Sequence, residues 1–158
     1  MKKTAAVITV SDRSHRGERE DLSGPAVSQL LQESGFAVSR ETVPDDEGQI
    51  RAALHRSIGR VGLIVTTGGT GIAKRDVTPE ATAAVCERLI PGIPELMRSE
   101  GLKQTPRSPL SRALCGTRGS TLLLNLPGSP NGAVESLRTV LPLVIHAMEL
   151  LAGNTEHS

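Results

Sequence analysis

The stretch Gly62-Leu63-Ile64-Val65-Thr66-Thr67-Gly68-Gly69-Thr70-Gly71, followed by Arg75-Asp76-Val77-Thr78-Pro79-Glu80, constrains this chain more than any other. The apolar run from Leu63 to Val65 reads as a buried strand, and the glycines after it let backbone N–H groups approach an anion without side-chain interference. Thr78-Pro79 reads as a helix start, with threonine capping the free N–H groups and proline at the first helical position. A strand, a glycine turn and a helix whose positive end faces the turn make the layout of a phosphate site. Asp76 alters that chemistry, because a carboxylate beside a phosphate repels it unless a cation such as Mg²⁺ lies between them. The turn is not a P-loop, since no Gly-Lys-Ser/Thr follows, and its spacing is not the dinucleotide G-x-G-x-x-G. Taken without its surroundings, the stretch is equally a polar loop with an acid before a helix cap.

The same strand-to-helix alternation runs along the rest of the chain. Ala5 to Val10 is a predicted strand, and after a polar loop from Ser11 to Ser23 the Gly24-Pro25 pair opens a helix with Val27, Leu30 and Leu31 on its apolar face. Gly35 ends that helix. A second strand is predicted over 36–43, and a helix starting at Asp46 puts Ile50, Ala53, Leu54 and Ile58 on one side. Beyond the strand at 63–67, helices are predicted over 79–89 and 93–103, then a Pro/Ser/Arg-rich connection at 105–112 and a strand at 121–126. Pro127-Gly128-Ser129-Pro130 leads into a long helical region, which Pro142 is expected to kink or split because it lacks an N–H. This pattern predicts a layered α/β fold with a largely parallel sheet and ligands at the carboxyl ends of its strands.

On that rule four loops gather at one edge: Ser11-Asp12, Pro44-Asp45-Asp46, the glycine turn through Asp76, and Pro127-Gly128-Ser129-Pro130. Three carry aspartates, more acid than an uncompensated anion site tolerates. Each has a structural alternative. Asp46 with Gln49 resembles a capping box, in which case Asp45 points elsewhere; Asp12 can close an Asx-turn, and Ser129-Pro130 can be a helix cap and first-turn proline.

Composition removes several functional classes. At 158 residues one domain spanning 1–158 is expected, large enough to bury roughly 70% of its unfolded surface. The chain has no Trp or Tyr and Phe36 is its only aromatic residue, so bases have nothing to stack on; with a formal charge of +1, no nucleic-acid partner is expected. Met1-Lys2-Lys3 resembles the start of a signal segment, but Thr4 to Val10 is too short an apolar run and leads directly into polar residues, so a cytoplasmic protein with no membrane attachment is expected. Cys86 and Cys115 stand far apart without ligand spacing, which argues against zinc. His15, His55, His146 and His157 are scattered, the last in a polar tail, and no triad-type pairing is visible.

Five motifs in order carry a more specific resemblance: Thr67-Gly68-Gly69-Thr70-Gly71, Arg75 through Ala81, Leu110-Ser111-Arg112, Gly116-Thr117-Arg118-Gly119-Ser120-Thr121, and Asn125-Leu126-Pro127-Gly128-Ser129-Pro130. Together with Ser11-Asp12-Arg13 and Val43-Pro44-Asp45, they make the chain similar to the MogA/MoaB family of molybdenum-cofactor biosynthesis and to the G domain of gephyrin. The resemblance implies a three-layer α/β/α sandwich, assembled as a homotrimer or homohexamer, that adenylylates molybdopterin using Mg-ATP and releases pyrophosphate. It implies that Asp45 and Asp76 are the catalytic and metal positions and that Ser11, Asp12, Thr67, Gly68, Gly69, Thr70 and Gly71 serve the nucleotide. Arg75, Ser111, Arg112, Ser120, Pro127, Gly128 and Ser129 fall on the substrate side. The enzyme that inserts molybdate is an implied further partner. Pro109 departs from the family pattern, in which an apolar nonproline residue is usual, and the chain length is nearer MoaB than the longer MogA proteins.

The implied reaction suits these residues. Its nucleophile, the terminal phosphate of molybdopterin, is already anionic at neutral pH, so no general base is needed. Bringing two anions together calls for positioning and positive charge, here backbone N–H groups, Arg75, Arg112 and Mg²⁺. Two alternatives stay open at this level: a MoaB-like molybdopterin-binding protein without adenylylation, and a CinA-like nucleotide pyrophosphatase. Gly69→Val is expected to hinder phosphate approach and weaken ATP binding while the fold persists.

Overall fold

Apolar strands buried on both faces need helices on both sides, and the chain supplies them in alternation. The computed structural model describes residues 2–154; Met1 and the tail containing His157 lie outside the described residues. The order is β1 (Thr4–Val10), α1 (Asp12–His15), α2 (Ser23–Glu33), β2 (Ala37–Val43), α3 (Glu47–Ser57), β3 (Leu63–Thr67), α4 (Thr78–Val85), β4 (Arg88–Leu89), α5 (Gly92–Gly101), a 3₁₀ turn at Ser108–Leu110, β5 (Cys115–Arg118), β6 (Thr121–Leu126) and α6 (Pro130–Leu151). The strands form one sheet in the order β2-β1-β3-β6-β5-β4. β1, β2, β3 and β6 are mutually parallel, and β5 runs antiparallel to both its neighbours. The predicted three-layer α/β/α fold with a mostly parallel sheet is the observed one.

Period-two alternation splits each strand between two cores. Val7, Val65 and Leu124 lie in register across three strands and face Val27 and Leu31 of α2 and Leu137, Val140 and Val144 of α6. Ile8, Ile64 and Leu123 face the other way, onto Ile50, Ala53 and Leu54 of α3 and Ala81 and Val85 of α4. Burying each of these Val, Leu and Ile side chains contributes about 1.5–3 kcal/mol.

The register fixes where the site lies. Thr9 pairs with Thr67, Thr67 with Leu126, and Val10 with Val43, so β1, β2, β3 and β6 end together. The loops that follow them share one edge, as the sequence predicts. β1 leads through α2 to the outer β2, whereas β3 returns to the other side of β1, which makes the gap between the ends of β1 and β3 a topological switch point.

Four local expectations are corrected. The helix predicted over 79–89 ends at Val85, because Cys86 turns extended (φ −75°, ψ 140°), and residues 88–89 form an edge strand. β5, not anticipated, pairs with β6 as a hairpin. A one-turn helix, α1, occupies part of the loop predicted after β1. Pro142 does not split α6, which runs unbroken for 22 residues. Pro142 and Arg138, four residues before it, are both exposed, so water can serve the carbonyl that the proline leaves unpaired. Among the described residues no helix is long and apolar enough to cross a membrane.

Candidate functional site

The first two edge loops are joined by reciprocal hydrogen bonds. The Asp12 backbone N–H donates to Asp45 Oδ2 (2.9 Å), and the Asp45 backbone N–H donates to Asp12 Oδ1 (3.0 Å). Asp46 caps α3, accepting from the Gln49 N–H at 2.9 Å, and this frees Asp45 to turn toward the glycine loop. Arg75 grips Asp12 with a bidentate fork, Nε to Oδ2 at 2.6 Å and Nη2 to Oδ1 at 3.0 Å. That guanidinium holds the Asp12 carboxyl down to about 2. Asp45 is shifted oppositely: burial first, and then the charges of Asp12 and Asp76, push its carboxyl above the ordinary range.

The glycine turn is held by α4. Gly68 and Gly69 both have positive φ, +92° and +69°. Thr78 is not the cap the sequence suggests; Val77 occupies that position, and the buried Thr78 hydroxyl donates to the Gly68 carbonyl (2.9 Å) while its N–H donates to the Gly69 carbonyl (3.1 Å). A Cβ at Gly68 would lie 2.4 Å from Val10 O, and one at Gly69 would lie 2.2 Å from Thr78 Oγ1. The expectation that Gly69→Val leaves the fold intact is therefore revised. The valine meets a buried, hydrogen-bonded hydroxyl as well as a positive φ, and is expected to cost about 2 kcal/mol of stability. Urea unfolding checks this; an unchanged midpoint would return Gly69 to a purely ligand-facing role.

Asp76 ends the loop, its Oδ2 accepting from the Ala73 N–H at 3.0 Å. Behind the loop, fully buried Asn125 donates to Thr66 Oγ1 (3.0 Å) and Thr82 Oγ1 (2.9 Å) and accepts from the Leu114 N–H (3.0 Å), which fastens β6 to β3, α4 and the approach to β5. Every polar atom of that side chain is thereby engaged in a low-dielectric setting.

Two cavities flank the 127–130 loop. The smaller, about 240 Å³, is lined by Ser11, Thr67, Gly68, Gly69, Gly128 and both Asp45 and Asp76. Arg19, Asp21 and Ser23 also line it, and sequence reasoning missed them by treating residues 11–23 as an undifferentiated polar loop. Asp21 accepts from the Gly24 N–H (3.0 Å) and from Thr9 Oγ1 (2.6 Å), so it fixes the start of α2 against β1. An aspartate three residues before the first helical glycine was the available signal. The larger cavity, about 300 Å³, lies between α5 and α6 and is lined by Met97, Arg98, Arg107, Ser111, Pro127 and Ser129, among others. Ser111 Oγ accepts from the Ala113 N–H (3.2 Å) and Ser129 Oγ caps α6 through the Gly132 N–H (3.1 Å). Each hydroxyl thus spends a lone pair and keeps its O–H free to donate.

The other candidates lie outside both linings. Asp12 and Arg75 are paired with each other. The Thr70 and Gly71 carbonyls accept from the Arg112 backbone N–H (2.8 Å) and Nε–H (2.8 Å), respectively. The Arg112 fork is also committed to Glu80, through Nη1 at 2.6 Å, and to the Asp76 carbonyl, through Nη2 at 2.7 Å. Ser120 is exposed in the β5–β6 turn, at the end of β6 opposite the site, and joins neither cavity. Its place in the sequence motif reflects the hairpin, which has to turn between Arg118 and Thr121.

Among the described residues no three of His, Cys, Asp or Glu converge as a cation cage. Asp45 and Asp76 nevertheless suit Mg²⁺, which typically takes one or two protein carboxylates and completes its shell with water and substrate phosphate. The upward push on Asp45 comes first from burial and then from the charges of Asp12 and Asp76, and a divalent cation would offset both. The cysteines are free, and burial pushes Cys86 up to about 11 and Cys115 to about 12, so both stay thiols at neutral pH.

Comparison with known proteins places this geometry among relatives. A family profile described as a probable molybdopterin binding domain matches residues 6–146. A molybdopterin adenylyltransferase of Helicobacter pylori (strain J99) is 41% identical over 153 residues, covering 94% of this chain and 87% of the relative. The molybdopterin adenylyltransferase of Escherichia coli (strain K12) is 37% identical over 139 residues, covering 85% of this chain and 71% of the relative. The crystal structure of the molybdopterin biosynthesis enzyme MoaB from Thermus thermophilus superposes with a TM-score of 0.89 at 47% identity, covering 96% of this chain and 97% of the other.

Proposed function

This chain belongs to the MogA/MoaB family of molybdopterin-binding domains, and from that membership we propose that it is a molybdopterin adenylyltransferase. The reaction transfers AMP from ATP to the terminal phosphate of molybdopterin. A phosphate oxygen bonds to the α-phosphorus, the bond from that phosphorus to the bridging oxygen breaks, and pyrophosphate leaves with the electron pair. One observation carries the reading: a carboxylate-and-glycine cavity and a hydroxyl-bearing, partly apolar cavity adjoin along a single loop, with Gly128 and Pro130 lining the first and Pro127 and Ser129 the second.

In this reading the smaller cavity takes the triphosphate. The Gly69 N–H and the guanidinium of Arg19 supply positive charge there, the Gly68 N–H being spent on the Leu126 carbonyl (3.1 Å) and Arg75 and Arg112 being paired within the protein. The larger cavity takes the pterin, oriented by the Ser111 and Ser129 hydroxyls beside the positive end of α6. Asp45 and Asp76 would hold Mg²⁺, which when bound supplies charge neutralisation at the reacting phosphates. Among the described residues no histidine lines either cavity, consistent with a nucleophile that is anionic before it binds. Incubation with molybdopterin and Mg-ATP, followed by mass detection of adenylyl-molybdopterin, tests the assignment. Bound pterin without product would instead identify a binding-only member.

We further propose that the protein works as one domain in the cytoplasm and assembles as a homotrimer or a dimer of trimers. The apolar stripe of α6 is mostly spent on the protein's own core, so support for assembly comes from exposed Ile72, Leu102 and Leu110, with Leu143 and Leu150 on α6. Light scattering at micromolar concentration is expected to give a trimeric or larger mass, and monomer alone would overturn this.

A further inference from the structure

Loops without regular structure hold a catalytic group only as well as their ends are tied. Residues 71–76 have no helix or strand, yet both ends of this segment meet on one side chain. Arg112 Nε donates to the Gly71 carbonyl (2.8 Å), Nη2 donates to the Asp76 carbonyl (2.7 Å), and the Arg112 backbone N–H donates to Thr70 O (2.8 Å). Glu80, on the first turn of α4, completes the arrangement with Oε2 on Nη1 (2.6 Å) and Oε1 on Nη2 (3.2 Å). The closeness of the two ends is visible at Gly71, where a Cβ would stand 2.8 Å from Asp76 Oδ2. Four of the five guanidinium N–H groups are thus consumed by the loop and by a carboxylate that lines neither cavity.

We infer that Arg112 and Glu80 are a positioning pair that closes the 71–76 loop and thereby fixes the Asp76 carboxylate, and that Arg112 is not a receptor for the substrate's anionic group. A planar fork is required, because the carbonyls at both ends of the loop and the Glu80 carboxylate on α4 are reached at once; a lysine ammonium in that place cannot span them. Glu80 holds the fork in its plane, so its loss acts through Arg112 and then through the loop. The inference rests on the adenylyltransferase reading for its kinetic consequence but not for its structural one.

Arg112→Lys and Glu80→Gln are therefore compared by two measurements. In amide hydrogen exchange, protection of the Ala73 and Asp76 N–H groups is expected to fall about tenfold in Arg112→Lys and less in Glu80→Gln, with the sheet unaffected. In the adenylylation assay, kcat is expected to fall about tenfold in Arg112→Lys while the KM for molybdopterin stays within about twofold, and Glu80→Gln is expected to move the same way. Unchanged exchange in both variants overturns the inference. So does a raised pterin KM in Arg112→Lys with kcat intact and Glu80→Gln indistinguishable from wild type, the signature of a direct ligand. If the wild-type protein makes no adenylylated product, the proposed function fails and the exchange measurement still decides the role of the pair.

Discussion

Asp45→Asn is expected to make the protein more stable and nearly inactive. Asparagine keeps the oxygen that accepts the Asp12 N–H, and it removes a charge that burial and two neighbouring carboxylates disfavour. The native state binds the Asp45 proton more tightly than the unfolded chain does, so ionisation at neutral pH weighs against folding. Stability from this group is full in acid, below the ordinary carboxylate value, and is lost as pH rises through the raised native value. At pH 7 without Mg²⁺ the variant should therefore melt at a higher temperature than the wild type. The gain should vanish in acid, where both forms are neutral. Turnover should fall by about a hundredfold or more, because the lost charge is the one that would hold the cation. Calorimetric Tm measured with and without Mg²⁺, beside the adenylylation rate, checks both halves; a variant less stable at pH 7 and equally active would refute them.

That trade of stability for function explains which parts of the molecule were legible in the sequence. The three inner parallel strands, β1, β3 and β6, announce themselves because strands buried on two faces must be apolar almost throughout, and Leu63-Ile64-Val65 or Leu122-Leu123-Leu124 allow little else, whereas the half-polar edge strand β2 is read from its alternation. The shared edge follows from parallel pairing. β4 and β5 were not legible, since Arg88-Leu89 and Cys115-Gly116-Thr117-Arg118 are too short and polar to show a period, and their pairing is decided by the neighbouring β6. Site residues divided similarly. Asp45 could be separated from Asp46 by the capping pattern alone, a local rule. The partners of Arg75 and Arg112 could not be assigned, because Asp12 lies 63 residues away from the first and Glu80 lies 32 from the second. An arginine in a conserved-looking motif reads as an anion receptor until the fold shows a carboxylate already on it. The same limit applied to Thr78, whose hydroxyl looked free to cap a helix and is instead turned back onto Gly68.

Asp76→Asn distinguishes a metal role from acid–base chemistry. The asparagine oxygen can go on accepting the Ala73 N–H, so the loop should keep its shape, and Arg112 grips the Asp76 carbonyl, which the substitution leaves untouched. What changes is the charge that Asp76 adds to the cavity lining it shares with Asp45. If the two carboxylates hold Mg²⁺, adenylylation should drop by about a hundredfold at ordinary Mg²⁺ and recover in part as Mg²⁺ is raised, because a weakened site fills by mass action. Molybdopterin affinity should be largely retained, since the larger cavity contains neither aspartate. A general base behaves otherwise: removing it leaves nothing for added metal to restore, and the wild-type rate would follow a carboxylate ionisation. The anionic phosphate nucleophile gives no reason for that ionisation to appear. A Mg²⁺ titration of the Asp76→Asn rate, run beside pterin binding and Mg-ATP calorimetry, separates the two. Full activity at ordinary Mg²⁺, or loss confined to pterin affinity, would remove Asp76 from the metal.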